Sequence, residues 1–305
     1  MDSVAVAELG KIVLWSTLGI TVVLGIVMQK TGFCTMGAVS DAFIMSNWTR
    51  LKQWSLAIGV AMIGVALMSY FGVIDTSKSI YTGTRVLYLS LFLGGVLFGI
   101  GMVLASGCGS KTLVRIGGGN LKSVVVFLVL GLTAYMTMRG FLGVIRVDTV
   151  DTLFFTLGTN QDLPSVIAAQ TGIAKPVLQL ILGFAIGGAL VAYALLDKSF
   201  WTLDNLLAGI GIGLGICAIW WVSGSLGFVA EDPNTLDEVF LKTNTGRMES
   251  LSFVAPFAFT LDWLMLYSDT SRVLTVGIVA VVGIIMGSAI SAIITKKFRW
   301  ESFRN

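Results

Sequence analysis

Two of the three cysteines in this chain sit in surroundings that could do chemistry. Cys34 lies in Gly32-Phe33-Cys34-Thr35-Met36-Gly37, and Cys108 lies in Ser106-Gly107-Cys108-Gly109-Ser110-Lys111-Thr112. Flanking glycine lets a ligand approach the backbone closely. A helix that starts at such a point aims free N–H groups at an anion. The thiol adds a weak donor and a polarisable sulphur that suits another sulphur. Gly32, Gly37, Gly107 and Gly109 are therefore candidate binding positions. Lys111 and Arg115 join them: four residues apart, they share one helix face and can attract an anion. Packing for the cysteines, and anchoring at a membrane surface for Lys111, Arg115 and Lys122, remain open alternatives. Cys217, in Gly215-Ile216-Cys217-Ala218-Ile219, reads as a small core residue of an apolar helix.

Other chemistries are excluded. The chain contains no histidine, which removes imidazole catalysis, His metal sites and His proton relays. Three cysteines in 305 residues make no disulfide framework, and no Cys-x-x-Cys or cofactor motif accompanies them. Gly109-Ser110-Lys111-Thr112 lacks the Gly-Lys-Ser/Thr order of a phosphate loop. A net charge of +3 is too small and dispersed for a nucleic-acid footprint. No enzyme, cofactor or metal is expected.

The elements that must hold these residues are membrane helices. Hydrophobic residues make up 55% of the chain and charged residues 12%, against about 25% charged in a soluble domain. Spans of about 20 apolar residues are read at Ile12–Met28, Trp54–Ile74, Val86–Ala105, Ser123–Ile145, Val177–Leu196, Leu206–Gly224 and Val273–Ile294. The runs do not alternate as barrel strands do, and no signal-peptide pattern precedes Lys30. Gly95/Gly99, Gly183/Gly187, Gly209/Gly213 and Gly211/Gly215 have the spacing that lets membrane helices pack closely. Three further segments, Thr31–Trp48, Gly107–Lys122 and Gly246–Tyr267, are too polar to span and too apolar for free loops. They read as re-entrant, half-spanning pieces, with surface helices the alternative. Arg247 and Glu249 read as a surface pair, with a place at a vestibule the alternative, Asp262 as solvated, and Arg139 as a charge near a span end that can snorkel.

With the N-terminus outside, Lys30, Arg50, Lys52, Lys111, Arg115, Lys122, Lys198, Lys296, Lys297, Arg299 and Arg304 fall on the inner face. Most acids, including Asp148, Asp151, Asp162 and the Glu231–Glu238 loop, fall outside, in keeping with cytoplasmic Lys/Arg enrichment. Residues 1–150 then form a first repeat of four spans and two re-entrant pieces. Residues 151–200 supply a connecting loop and the fifth span. Residues 201–305 restart the pattern in the opposite orientation and stop before completing it, and the residues from Lys296 on read as a cytoplasmic tail. The expected fold is an all-α polytopic membrane protein, an inverted-repeat helical bundle with short re-entrant central helices near a midplane site.

The stretches Gly32–Asp41, Gly107–Lys122, Gly246–Pro256 and Phe298-Arg299-Trp300-Glu301 resemble the YeeE/YedE family of sulphur-compound transporters along the whole chain. The resemblance implies a bacterial inner-membrane protein of about nine spans with short helices meeting at its centre. It also implies import of thiosulfate, with Cys34 and Cys108 relaying the anion through S–H contacts to sulphur. In that family another Gly-Cys motif usually follows Phe-Arg-Trp-Glu. The reading frame is therefore expected to continue past Asn305 with two more spans flanking such a motif, the alternative being a lineage without the last relay cysteine. The function expected is a permease for a small sulphur-containing anion, most readily thiosulfate. An anion channel, or a selenium or other sulphur-compound transporter on the same scaffold, is the alternative, and a membrane thiol redox protein is a weaker one. Expected partners are the anion, the lipid bilayer and a cytoplasmic sulphur-carrier protein, with no nucleic acid.

Overall fold

The computed structural model describes residues 3–233 and 236–302, so Asp2 and Arg304 lie outside the described residues. Seven stretches are helical, long and apolar enough to cross a membrane. They are carried by α1 (Ser3–Thr31), α3 (Thr49–Tyr70), α4 (Tyr88–Leu104), α6 (Leu121–Arg139), α9 (Lys175–Leu195), the continuous helix Leu203–Leu226 and α13 (Val276–Ile294). The helix Leu203–Leu226 contains α10 (Leu203–Leu206) and α11 (Ile212–Trp221), with wider π-type turns at Leu207–Gly211 and Val222–Leu226. All seven expected spans are present. Three short helices stand between them: α2 (Thr35–Ile44), α5 (Gly109–Gly117) and α12 (Val254–Met265). They fall in the three segments expected to be re-entrant. Helices α7 (Phe141–Thr149) and α8 (Leu163–Thr171) lie in the connection between α6 and α9. Among the described residues the strands form two small antiparallel ribbons, Arg85–Val86 with Phe155–Thr156 and Phe228–Val229 with Val239–Phe240, and single parallel bridges join Ser79 to Met248 and Asn120 to Glu301.

Helices approach closely where glycine removes the side chain. At Gly59 of α3 a β-carbon would lie 2.6 Å from the Gly187 carbonyl oxygen of α9. Gly283 and Gly287 of α13 abut Thr21 and Val22 of α1 in the same way, and these two helices run in the same direction. Gly209, Gly213 and Gly215 receive Leu56, Val60 and Leu24. Buried Thr17 and Thr21 return their hydroxyls to carbonyls one turn back, at 2.8 and 2.7 Å, so α1 has no unsatisfied donor there. Gly95 and Gly99 depart from expectation. A β-carbon at either meets nothing within 4 Å, and α4 buries no residue among those described. Their spacing matches that of the packing glycines, but no helix faces them.

Ion pairs tie the ends of separate helices and loops: Lys30–Asp204, Arg50–Asp41, Lys52–Asp197, Lys78–Glu238, Arg146–Asp151 and Lys175–Asp162.

Four local expectations are corrected. The fourth span does not reach Ile145. It ends at Arg139, because Gly140 is extended (ψ −165°) and starts α7, which folds back against α6. Asp262 is not solvated: it is 5% exposed and pairs with Arg272 at 3.2 Å. Arg247 and Glu249 do not pair. The intervening Met248 is fully buried, Arg247 is exposed, and Glu249 turns inward. The residues after α13 are not a free tail. Arg299 and Glu301 donate backbone N–H groups to the Gly118 and Gly119 carbonyls, and Leu121 N–H returns to Glu301. Gly119 has φ +95°, and a β-carbon there would collide with the Arg299 carbonyl, which accounts for the glycine at that corner.

Candidate functional site at two helix N-termini

The chain leaves α1 through Gly32 (φ +64°) and leaves α4 through Ser106 (φ +55°). Each left-handed turn stands two residues before a cysteine and sends the backbone back into the bundle. Gly32 adopts that conformation without strain, whereas Ser106 carries a side chain into it. Cys34 then caps α2, its sulphur accepting from the Gly37 N–H at 3.5 Å. Cys108 caps α5 in extended conformation, with its sulphur 3.2 Å from the Ser110 hydroxyl.

The two motifs meet. Cys34 and Cys108 lie close enough to influence each other electrostatically, and both are free thiols. The Cys108 backbone lies near the Cys34 sulphur, and the Thr35 and Lys111 backbone near the Cys108 sulphur. The first turns of two helices, with N–H groups that a helix cannot satisfy itself, thus lie beside the thiol pair. Each cysteine is 6% exposed. The third short helix also reaches the site: a β-carbon on Gly109 would lie 3.2 Å from that of Phe253, the residue before α12. Phe33 stacks on Trp54 with ring centroids 4.6 Å apart, and Phe127 lies 4.6 Å from Phe257. The pair is therefore closed in by aromatic side chains in this conformation.

Cations surround it. Lys111 is within electrostatic reach of both thiols and of Arg50 and Arg115. Lys111 and Arg115 both flank Gly107, where a β-carbon would meet them at 3.3 and 3.7 Å. Arg50 reaches in from the first turn of α3. Its Nη1 would lie 2.8 Å from a β-carbon at Gly37, and it pairs with Asp41 at 3.2 Å. Gly37 and Gly109 thus make room for Arg50 and Phe253. The sequence places Arg50 only among the cations of the inner face and gives no sign of Phe253. No spacing rule links residue 50 to residue 37, so only the tertiary fold reveals that contact.

Cys217 stays apart. Its sulphur lies 3.7 Å from the Ala61 carbonyl and fills the space left by Gly64. Among the described residues no group of three or more His, Cys, Asp or Glu side chains could hold a metal ion.

A family described as sulphur transport matches residues 30–305. A protein of Escherichia coli (strain K12) named thiosulfate transporter TsuA is 33% identical over 114 residues, covering 37% of this chain and 31% of that protein. One of Spirochaeta thermophila (strain ATCC 700085 / DSM 6578 / Z-1203), also named thiosulfate transporter TsuA, is 25% identical over 244 residues, covering 72% of each. The relatives are transporters, and the match extends over both cysteine motifs and all three short helices. The chain belongs to the sulphur transport (YeeE/YedE) family.

Proposed function

We propose that this protein is a permease that imports a small sulphur-containing anion, thiosulfate foremost, across the bacterial inner membrane. Cys34 and Cys108 hand the anion on through S–H contacts. The observation that carries this reading is the meeting of two free thiols at two helix N-termini, inside a ring of Lys111, Arg115 and Arg50. Backbone N–H groups and cations favour negative charge there. Thiols offer weak donors and polarisable contact to a sulphur atom without binding an oxyanion too tightly to release it. Gly32 and Gly107 shape the two turns, and Gly37 and Gly109 admit Arg50 and Phe253 to the site.

The N-terminus lies outside in this reading, and the Lys/Arg-rich face lies in the cytoplasm, where a sulphur-carrier protein would receive the product. In this reading residues 1–150 form a first repeat, 151–200 a connection and 201–305 an inverted counterpart, supported by a short helix in each segment the sequence marks as re-entrant. Uptake of labelled thiosulfate in a bacterial strain lacking other importers tests the proposal. Uptake that depends on both Cys34 and Cys108 is expected. Absence of uptake, or uptake indifferent to both, rejects it.

A further inference from the structure

Between the sixth and seventh spans, and outside both, the Glu249 carboxyl faces a cavity of about 220 Å³. One carboxyl oxygen accepts the Asn244 N–H at 3.3 Å, and no cation pairs with it among the described residues. The Ser250 hydroxyl lines the same cavity and is buried without a partner. Leu251 and Ser252 line the cavity, and the next residue in the chain, Phe253, would stand 3.2 Å from a β-carbon on Gly109 beside Cys108, which puts the cavity next to the thiol site. On the other side of Met248, the exposed Arg247 lines an open depression of about 640 Å³ with Lys78 and Arg85. Glu238 lines the same depression and pairs with Lys78, so Arg247 and Arg85 are the cations left to draw an anion to the mouth beside Glu249.

We propose that Glu249 is the proton-binding site of this transporter, and that it must be protonated for an anion to pass, so that a proton accompanies each anion inward. The proposal rests on the permease reading above. A carboxylate facing the cavity repels a dianion. The protonated carboxyl is neutral and becomes a hydrogen-bond donor beside the Ser250 hydroxyl. Burial raises the carboxyl to about 7, so both forms are populated near neutral pH.

The surroundings leave this titration to Glu249. From the loop at 79–82, Tyr81 faces it, itself raised by burial, while Lys78 turns away to pair with Glu238. From 222–226, Ser223 donates to the Glu249 main-chain carbonyl. The faces presented by α12 and α13, including Ala255, Pro256, Val276 and Ala280, carry no titratable group.

The test uses the full chain in proteoliposomes, with labelled thiosulfate as probe. Above about pH 7 each further unit cuts the protonated fraction about tenfold, and initial uptake should fall in step. An imposed inward proton gradient should accelerate it. Glu249→Gln should transport without either response, and Glu249→Asp should restore both with a shifted midpoint. Unchanged pH dependence in Glu249→Gln overturns the proposal, as does a wild type that responds to sodium rather than to protons. Infrared difference spectra of the protein in nanodiscs supply a readout that needs no transport. A carboxyl band that titrates near neutrality and is lost in Glu249→Gln is expected, and its absence overturns the assignment. If that band is present but no thiosulfate is taken up, the permease reading fails and the proton site stands.

Discussion

Cys34 and Cys108 each stand at the N-terminus of a short helix, and the two thiols share one site although two entire spans, α3 and α4, separate them in sequence. Neither thiol is merely filling space: each has the backbone of a helix N-terminus beside it, and each is reached by Lys111. Cys108→Ala or Cys34→Ala should therefore abolish thiosulfate uptake while leaving expression intact, because a methyl group neither donates S–H nor contacts sulphur as a thiol does. Cys217→Ala should be close to silent in the same assay. Equal loss in all three variants would assign the phenotype to packing. Cys108→Ser refines the test, since it keeps a donor and loses polarisability. Full uptake in that variant would refute a sulphur-specific relay.

The cations should affect capture more than turnover. Arg50 is held by Asp41 beside Gly37, and a charged partner to an anion is worth about 1.5–3 kcal/mol when removed. Arg50→Gln and Lys111→Gln should each raise the KM for uptake about tenfold or more. Arg50→Lys should recover only part of the loss, because an ammonium cannot reproduce the guanidinium fork. A KM unchanged in both Gln variants would remove these residues from the anion path.

The spans were legible because the bilayer demands long apolar runs, and all seven stand out from their polar connections. The cysteine motifs were legible too, since glycine beside cysteine in a half-polar segment is a local signal. What joins them is not local. The thiol contact, the approach of Arg50 to Gly37 and the insertion of Phe253 against Gly109 each depend on how separate helices dock. Arg247 and Glu249 misled for a simpler reason. Opposite charges two residues apart suggest a pair, but Met248 between them is buried and the two flanking side chains separate. Gly95 and Gly99 show the same limit: spacing permits a close contact and does not supply the partner.

That contrast is measurable. A methyl at Gly287 would press on the Val22 carbonyl across the α1–α13 contact, where backbone cannot easily yield. Gly287→Ala should cost about 1–3 kcal/mol. Gly95→Ala, with open space around it, should stay within about 0.5 kcal/mol of the parent. Thermal unfolding in one detergent, followed by intrinsic tryptophan fluorescence, separates the two. Comparable losses would mean that the α4 face is packed in the folded protein.

Stability itself should depend on pH through Glu249. Its carboxyl lies at about 7 in the folded protein, against an ordinary value of 4.5, because burial disfavours the charged form. A group raised on folding holds more protons in the native state than in the unfolded one. Its contribution is therefore fully present below the ordinary value and is lost as pH rises through about 7. The gap corresponds to on the order of 2 kcal/mol after allowance for partial solvent access. The apparent melting temperature should accordingly fall between about pH 5 and about pH 8. Glu249→Gln should flatten that slope and match the parent most closely at the acidic end, where both side chains are neutral. Asp197 runs the other way: Lys52 and the Ser199 hydroxyl hold it down to about 2, so it is ionised throughout this window and adds no slope. A parent protein whose melting temperature rises across the window, or a Glu249→Gln variant with the parent's full slope, would show that Glu249 is not the titrating group.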